Sequence, residues 1–200
     1  MGRPQPSTHP AKTALRDQLL TARRRRPLVE RSEDARAIAR ALTAAPEVRR
    51  AATVAAYVAV GSEPGTAPLL SALLAAGKRV ILPLTLPDRD LDWAAYAGDQ
   101  DLAPARLGLL EPVTTPLGPD AVATADVVLV PGLAVSLRGE RLGRGGGSYD
   151  RALGRVPVDT FTCVLLHDEE VGLEVPTEPH DRPVTAAASP GGITRFAATF

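Results

Sequence analysis

Short, almost continuous apolar runs alternate with helical segments along most of the chain. Four of these runs stand at residues 53–60 (TVAAYVAV), 78–84 (KRVILPL), 125–132 (ADVVLVPG) and 161–167 (FTCVLLH). Strands that are buried on both faces of a parallel sheet have this pattern. A helical segment, TAPLLSALLAAG, separates the first two runs, and parallel neighbours need such a crossover. The pattern therefore predicts an α/β layered sandwich, with a mostly parallel central sheet flanked by helices.

Further elements are expected at both ends of this region. The spacing of apolar residues predicts a first helix over residues 12–25. A second helix is predicted from about Ser32, a candidate N-cap, and it carries a buried stripe. That stripe consists of Ala35, Ile38, Ala39 and Leu42. Residues 91–97 (LDWAAYA) and 194–200 (TRFAATF) are predicted to add strands.

Length and charge limit the classes of protein that fit. Residues 1–11 are predicted to form a flexible N-terminal tail, and residues 12–200 have the length of a single domain. The 23 basic and 23 acidic side chains cancel, which argues against nucleic acid as the main partner. No segment is apolar enough to span a bilayer or to act as a signal peptide. We therefore expect a cytoplasmic protein without a membrane partner, and Cys163 is expected to be a buried, unreactive thiol.

The sequence RLGRGGGSYDRAL at residues 141–153 is the strongest candidate for a binding site. It is expected to follow a hairpin that turns at Arg138-Gly139 and to lead into a short helix that begins near Ser148. A glycine-rich loop before a helix presents backbone N–H groups to an anion, and the two arginines add positive charge. Phosphate is thus the expected ligand, although the Walker and dinucleotide-binding patterns are both absent. The alternative is a glycine-rich turn that closes a hairpin.

Three further charged groups are weaker evidence for a binding site than the glycine-rich segment. Asp150 either complements the first turn of the short helix or holds Mg²⁺ beside phosphates. The four arginines at 23–26 end the first helix, where cations are favourable, and are expected to be solvated. The cluster His167-Asp168-Glu169-Glu170 lacks a second histidine that would complete a metal site.

The segment VPGLAVSLRGERLGRGGGSYDRAL resembles the signature of the 5-formyltetrahydrofolate cyclo-ligase family. The resemblance extends over nearly the whole chain, because KTALR, YVAVGSEPGT, GKRVILP, GLLEP and VPTEPHD occur in the order found in that family. The chain departs from the family where Ser148-Tyr149 replaces the usual pair of tyrosines. The resemblance implies an α/β sandwich similar to sugar-phosphate isomerases and CoA transferases.

The resemblance also implies site residues. It assigns Val58 and Glu63, together with residues 144–148, to the folate substrate. Asp150 and Asp181 match Mg²⁺ ligands, and Arg144 is given a catalytic role. The implied ATP contacts are Lys12, Arg16, Arg141, Leu142, Gly143, Arg144, Gly145, Gly146, Gly147, Ser148 and Tyr149.

The implied reaction uses ATP and Mg²⁺ to close 5-formyltetrahydrofolate, with or without a polyglutamate tail, into 5,10-methenyltetrahydrofolate. A formamide oxygen is a poor leaving group, and phosphorylation by ATP makes it a good one. For such a step a protein mainly positions groups and neutralises charge. Two other functions fit the same loop: a nucleotide sensor without turnover, and an ATP-independent isomerase or acyl transferase. Lys12 favours the ligase, because the resemblance places it at the ATP phosphates.

Overall fold

The computed structural model describes residues 8–197, which begin with three helices. Helix α1 spans Thr8–Arg24, α2 spans Leu28–Ala44 and α3 spans Pro46–Arg50. Residues 8–11 are therefore helical, and their assignment to a flexible tail was wrong. Pro10 lies in the first turn of α1, where the N–H that proline lacks would have no helical partner. The rest of the predicted tail, residues 1–7, lies outside the described residues.

Helix α2 starts earlier than its sequence pattern predicted. Its N-cap is Pro27, in an extended conformation, and the Arg31 N–H donates to the Pro27 carbonyl over 3.1 Å. Ser32 is consequently inside the helix, and its predicted role as N-cap was wrong, because the backbone at Pro27 already turns into the helix. The predicted apolar stripe is confirmed, since Ala35, Ile38, Ala39 and Leu42 are all buried.

The C-terminal arginines of α1 are not uniformly solvated. Arg23 is only 1% exposed, and its Nε and Nη2 donate to the two Glu170 oxygens over 2.6 and 2.7 Å. Nη2 also donates to the Gly132 carbonyl over 2.7 Å. The expectation of a solvated cluster was wrong at Arg23, because this residue lies one helical turn after buried Leu19, on the inward face of α1.

The remaining elements alternate between strands and helices. Helices α4 and α5 span Ala67–Ala75 and Ser148–Leu153. The strands are β1 (Thr53–Ala55), β2 (Arg79–Thr85), β3 (Leu91–Tyr96), β4 (Leu102–Pro104), β5 (Leu110–Pro112), β6 (Val127–Pro131), β7 (Ala134–Val135), β8 (Arg141–Leu142), β9 (Phe161–Leu165), β10 (Ala186–Ser189) and β11 (Gly192–Arg195).

Seven strands form the central sheet in the order β11-β10-β9-β6-β1-β2-β3. The five inner strands are parallel, whereas β3 and β11 pair antiparallel at the two edges. This architecture confirms the predicted α/β fold with a mostly parallel sheet. The strand predicted at 91–97 is confirmed as β3. The strand predicted at 194–200 overlaps β11 only at its start, and residues 198–200 lie outside the described residues.

Successive residues of each inner strand enter opposite core layers. Val54, Val127 and Cys163 pack on the face covered by α2 and α4. Ala55, Val128 and Val164 pack on the other face, together with Ala152 and Leu153 of α5. Both faces are therefore apolar, which explains the continuous runs in the sequence. Cys163 is a buried free thiol, as predicted, and burial raises its pKa.

The predicted hairpin before the glycine loop is confirmed. Strands β7 and β8 pair antiparallel, and Gly139 has a φ of 81°. A side chain on Gly139 would collide with the Val184 carbonyl, so glycine is required here on two grounds. None of the helices within residues 8–197 is long and apolar enough to cross a membrane.

Candidate active site

A large cleft lies at the carboxyl ends of the parallel strands. Its volume is about 1060 Å³, and its walls include Tyr57 and Glu63 after β1 and Gly132 after β6. Strand β1 has β2 on one side and β6 on the other, so the chain connections leave the sheet in opposite directions at this point. In open α/β sheets ligands bind at such a switch point.

The glycine loop forms one wall of this cleft. Strand β8 leads directly into it, and α5 follows it, with Gly147 in the left-handed conformation as the N-cap. Gly145 also has a positive φ of 98°, so the loop backbone has a conformation that residues other than glycine rarely adopt. The residues of this segment that line the cleft are Arg141, Leu142, Gly143, Arg144, Gly145, Gly146, Gly147, Ser148 and Tyr149.

The inward face of α1 brings two more cations to the same cleft. Arg16 Nε donates to the Gly143 carbonyl over 2.9 Å and so fixes the loop against the helix. Lys12 is only 3% exposed, and its Nζ lies 2.7 Å from a Glu178 oxygen and 2.6 Å from an Asp181 oxygen. Burial lowers the pKa of Lys12, but the bonds to Asp181 and Glu178 outweigh it and raise the pKa. Lys12 therefore carries its charge at neutral pH.

Two arginines of the loop also pair with carboxylates of the cleft. Arg141 Nη2 lies 2.9 Å from Asp150 Oδ1, and Arg144 Nη2 lies 3.1 Å from Glu63 Oε1. The other Glu63 oxygen accepts from the Val60 N–H over 2.9 Å. Burial raises the pKa of Glu63 above its ordinary value. The hydrogen bond from Val60 and the charge of Arg144 oppose this rise without cancelling it. Arg144 itself is 49% exposed, so it is the most accessible of these cations.

Two aromatic rings lie beside Glu63. The Tyr57 and Tyr149 rings meet edge to face, with centroids 6.5 Å apart at 72°. Both residues line the cleft. Burial, followed by the Glu63 charge, raises the pKa of each phenol. This end of the cleft thus combines aromatic surface with one buried carboxylate, whereas the other end is rich in cations.

A group of metal-ligand type stands at the cationic end. Glu178, His180 and Asp181 each place a ligand atom within 4.8 Å of the others. Asp150 is near this segment, because its Oδ1 accepts from the Arg182 N–H over 3.2 Å. The hydrogen bonds that described residues make to Asp150 use Oδ1 alone. A second oxygen of Asp150 is thus available beside carboxylates of the kind that Mg²⁺ prefers.

Most residues implied by the resemblance come together here. All of the implied ATP contacts line the cleft, as do Glu63, Asp150 and Asp181. Val58 is the exception, since its half-buried side chain packs against the core cluster under α2 and α4. Its neighbour Tyr57 belongs to the same cluster and also lines the cleft, and the role of Val58 as a folate contact stays a prediction.

Two cleft residues were missed in the sequence. Tyr57 lies in the motif YVAVGSEPGT and Glu178 in the motif VPTEPHD. Both motifs resemble those of the family, but the resemblance did not identify these two residues as part of the site. His167, by contrast, lies away from this site: it is fully buried, and its Nδ1 is 2.9 Å from Asp34 Oδ2. Among residues 8–197 the group with ligand atoms close enough to hold a metal ion is Glu178, His180 and Asp181, and it does not include residues 167–170.

Comparisons with known proteins identify the family of the chain. A model of the 5-formyltetrahydrofolate cyclo-ligase family matches residues 8–190. A 5-formyltetrahydrofolate cyclo-ligase of Mycolicibacterium smegmatis is 40% identical over 185 residues, which are 90% of this chain and 94% of that protein. The Escherichia coli protein of the same name is 33% identical over 151 residues, 74% of this chain and 83% of that one.

Solved structures give the same result. The NMR structure of Aquifex aeolicus 5,10-methenyltetrahydrofolate synthetase has a TM-score of 0.80 at 27% identity and covers 94% of each chain. A Mycoplasma pneumoniae 5,10-methenyltetrahydrofolate synthetase has a TM-score of 0.71 at 20% identity, over 90% of this chain and 98% of that one, which supports the fold. Sequence motifs, architecture and relatives all agree: the chain belongs to the 5-formyltetrahydrofolate cyclo-ligase family.

Proposed function

We propose that this chain catalyses the ATP- and Mg²⁺-dependent cyclisation of 5-formyltetrahydrofolate to 5,10-methenyltetrahydrofolate, with release of ADP and phosphate. One observation carries the proposal beyond the family match. Four segments that are far apart in the chain supply cations, a glycine loop, carboxylates and aromatic rings to a single cleft. A phosphoryl transfer to a heterocyclic substrate needs this combination of groups.

The phosphates of ATP are assigned to the cationic end. Lys12 and Arg141 are nearly buried, and Arg16 holds the loop through Gly143. Charge-assisted bonds from such groups are roughly twice as strong as neutral ones. The glycines allow the loop backbone to approach the phosphate oxygens, since no side chain stands between. These residues bind and orient the nucleotide.

Mg²⁺ is assigned to Asp181 and Asp150, with Glu178 as a further ligand. The donor set fits the ion, because it offers carboxylate oxygens next to the cations that would hold phosphates. When bound, Mg²⁺ would neutralise negative charge on the phosphate oxygens. Lys12 contacts two of these carboxylates, so its amine lies at the boundary between metal and nucleotide sites.

The folate is assigned to the end formed by Glu63, Tyr57 and Tyr149. The aromatic rings offer apolar surface to a flat heterocycle, and the Glu63 carboxylate accepts hydrogen bonds. Arg144 contacts Glu63 from the glycine loop, so it stands between the two ends. A half-exposed cation at that position is suited to neutralise charge during phosphoryl transfer, and we assign it the catalytic role.

The chemistry requires no nucleophile from the protein. The formyl oxygen attacks the γ-phosphorus, and ADP leaves. The N10 nitrogen then attacks the activated carbon, and phosphate departs together with the proton of that nitrogen. The cleft residues hold the reacting groups in place and balance their charge.

We further propose that the protein acts in the cytoplasm, without nucleic acid or membrane, on reduced folates with or without a polyglutamate tail.

Formation of methenyltetrahydrofolate, followed by its absorbance, tests the proposal. We expect product from 5-formyltetrahydrofolate only when both ATP and Mg²⁺ are present, and no product after chelation of the metal by EDTA. Absence of turnover with fresh substrate and both additions would overturn the proposal. ATP binding without turnover would indicate a nucleotide sensor, and ATP-independent turnover of a sugar phosphate or acyl-CoA would indicate the other alternative.

A further inference from the structure

Tyr57 has a hydroxyl group without a hydrogen-bond partner among the residues that the structure describes. The residue follows β1, lines the cleft and is 3% exposed. Its hydroxyl is shielded from water and has no hydrogen-bond partner among residues 8–197. Buried hydroxyl groups nearly always have a partner, because an unmade bond costs free energy. The geometry of Tyr57 therefore indicates that a ligand supplies the missing atom.

The surroundings of Tyr57 define the chemistry of that atom. Burial, and then the nearby Glu63 charge, raises the pKa of Tyr57 well above its ordinary value of 10, so the phenol keeps its proton and acts as a donor. The same Glu63 carboxylate disfavours a second negative group. A neutral oxygen or nitrogen acceptor on a ring fits this position, whereas a phosphate fits the cationic end.

We propose that the Tyr57 hydroxyl donates a hydrogen bond to a neutral acceptor on the pteridine ring of the reduced folate and so determines specificity for that ring. The inference rests on the proposed function. In the same pocket the Glu63 carboxylate accepts from a ring N–H. A phenol donor beside a carboxylate acceptor matches a carbonyl that neighbours an N–H, as in the pyrimidinone part of the substrate.

The variant Tyr57→Phe separates binding from folding, because it removes one oxygen and keeps the ring. Titration of 5-formyltetrahydrofolate without ATP should give a Kd raised about 5- to 50-fold, the range expected when a buried polar group loses its partner. The Kd for Mg·ATP should not change. The melting temperature of the ligand-free variant should stay equal or rise, because an unsatisfied buried group has been removed.

Tyr96→Phe is the matched control. The Tyr96 hydroxyl donates to Asp99 Oδ1 over 2.6 Å, and this residue is not among those that line the cleft. For Tyr96→Phe we expect a lower melting temperature and an unchanged Kd for the folate, which is the opposite of the pattern expected for Tyr57→Phe.

Each other outcome overturns the inference in a distinguishable way. If wild-type protein neither binds nor converts 5-formyltetrahydrofolate, the proposed function fails as well. If wild-type protein is active and Tyr57→Phe binds folate equally well, only the role of Tyr57 fails. Weaker binding of Mg·ATP would assign the hydroxyl to the nucleotide, and a lower melting temperature would assign it an internal partner such as buried water.

Discussion

Lys12, Arg141 and Arg144 each pair with a carboxylate of the cleft in which they lie. An incoming phosphate must therefore compete with Glu178, Asp150 and Glu63 for these cations. A metal ion on Glu178 and Asp150 would remove that competition at Lys12 and Arg141, because it would neutralise the negative charge of these two carboxylates. At the scale of single residues, the cations proposed to bind phosphate thus form ion pairs with the carboxylates proposed to bind the metal.

Lys12→Ala is the sharpest test at this scale. We expect KM for ATP to rise roughly 10- to 150-fold, since a charged hydrogen-bonding group contributes about 1.5–3 kcal/mol. KM for the folate should change much less. Steady-state kinetics with each substrate varied in turn measures both values.

Lys78→Ala, which removes the other lysine of the chain, is the control. Its Nζ donates to the Arg49 and Ala51 carbonyls over 2.7 and 2.6 Å, at the end of α3 and away from the cleft. We expect a loss of about 0.3–1 kcal/mol of stability and unchanged kinetics. Equal rises of both KM values in Lys12→Ala would instead make Lys12 a structural residue.

At the scale of elements, Asp126 fixes the start of β6 against the start of β1. Its Oδ2 accepts from the Ala52 and Thr53 N–H groups over 2.8 and 2.9 Å. These bonds to the backbone of Thr53 and Ala52 lower the pKa of Asp126 below its ordinary value of 3.8. The stabilisation is therefore present above pH 3.8 and is lost as the pH falls through the lower pKa of the folded state.

Asp126→Asn should lower the melting temperature at neutral pH, because the charged acceptor is lost. The difference from the wild type should shrink as the pH falls below 3.8, where the wild-type carboxylate gains a proton. Melting curves at several pH values measure this, with the exposed Asp159→Asn as control. A difference that stays constant across the acidic range would contradict the assigned role.

The sequence predicted those elements whose signal is local. Strands β1, β2, β6 and β9 stand within continuous apolar runs, and the glycine loop has a distinctive composition. Strand β10 was missed because its sequence, AAAS, contains only small residues, although all four are buried. The burial of Arg23 was missed because its partner, Glu170, is 147 residues away in the chain. Contacts of this kind depend on tertiary packing, which no local pattern encodes.

At the scale of the whole molecule, ligand binding should stabilise the protein in a metal-dependent way. A ligand at 100 times its Kd contributes about 2.7 kcal/mol, which corresponds to roughly 5–11 °C for a chain of this length. We expect Mg·ATP at that excess to raise the melting temperature by this amount, and the same concentration of ATP with EDTA to raise it by less than half. Equal shifts in a thermal melt would mean that the carboxylates do not hold the metal.

The long sequence separation of the cleft contacts has a consequence for biosynthesis. Three residues of α1 contact partners that are synthesised much later. Gly143 follows Arg16 by 127 residues, Glu170 follows Arg23 by 147 and Asp181 follows Lys12 by 169. At about 5–20 residues per second, the ribosome needs on the order of 10–30 s to deliver the last of these partners. Until Asp181 has been synthesised, Lys12 lacks this native partner, and the cleft cannot reach the arrangement of charges proposed to bind nucleotide.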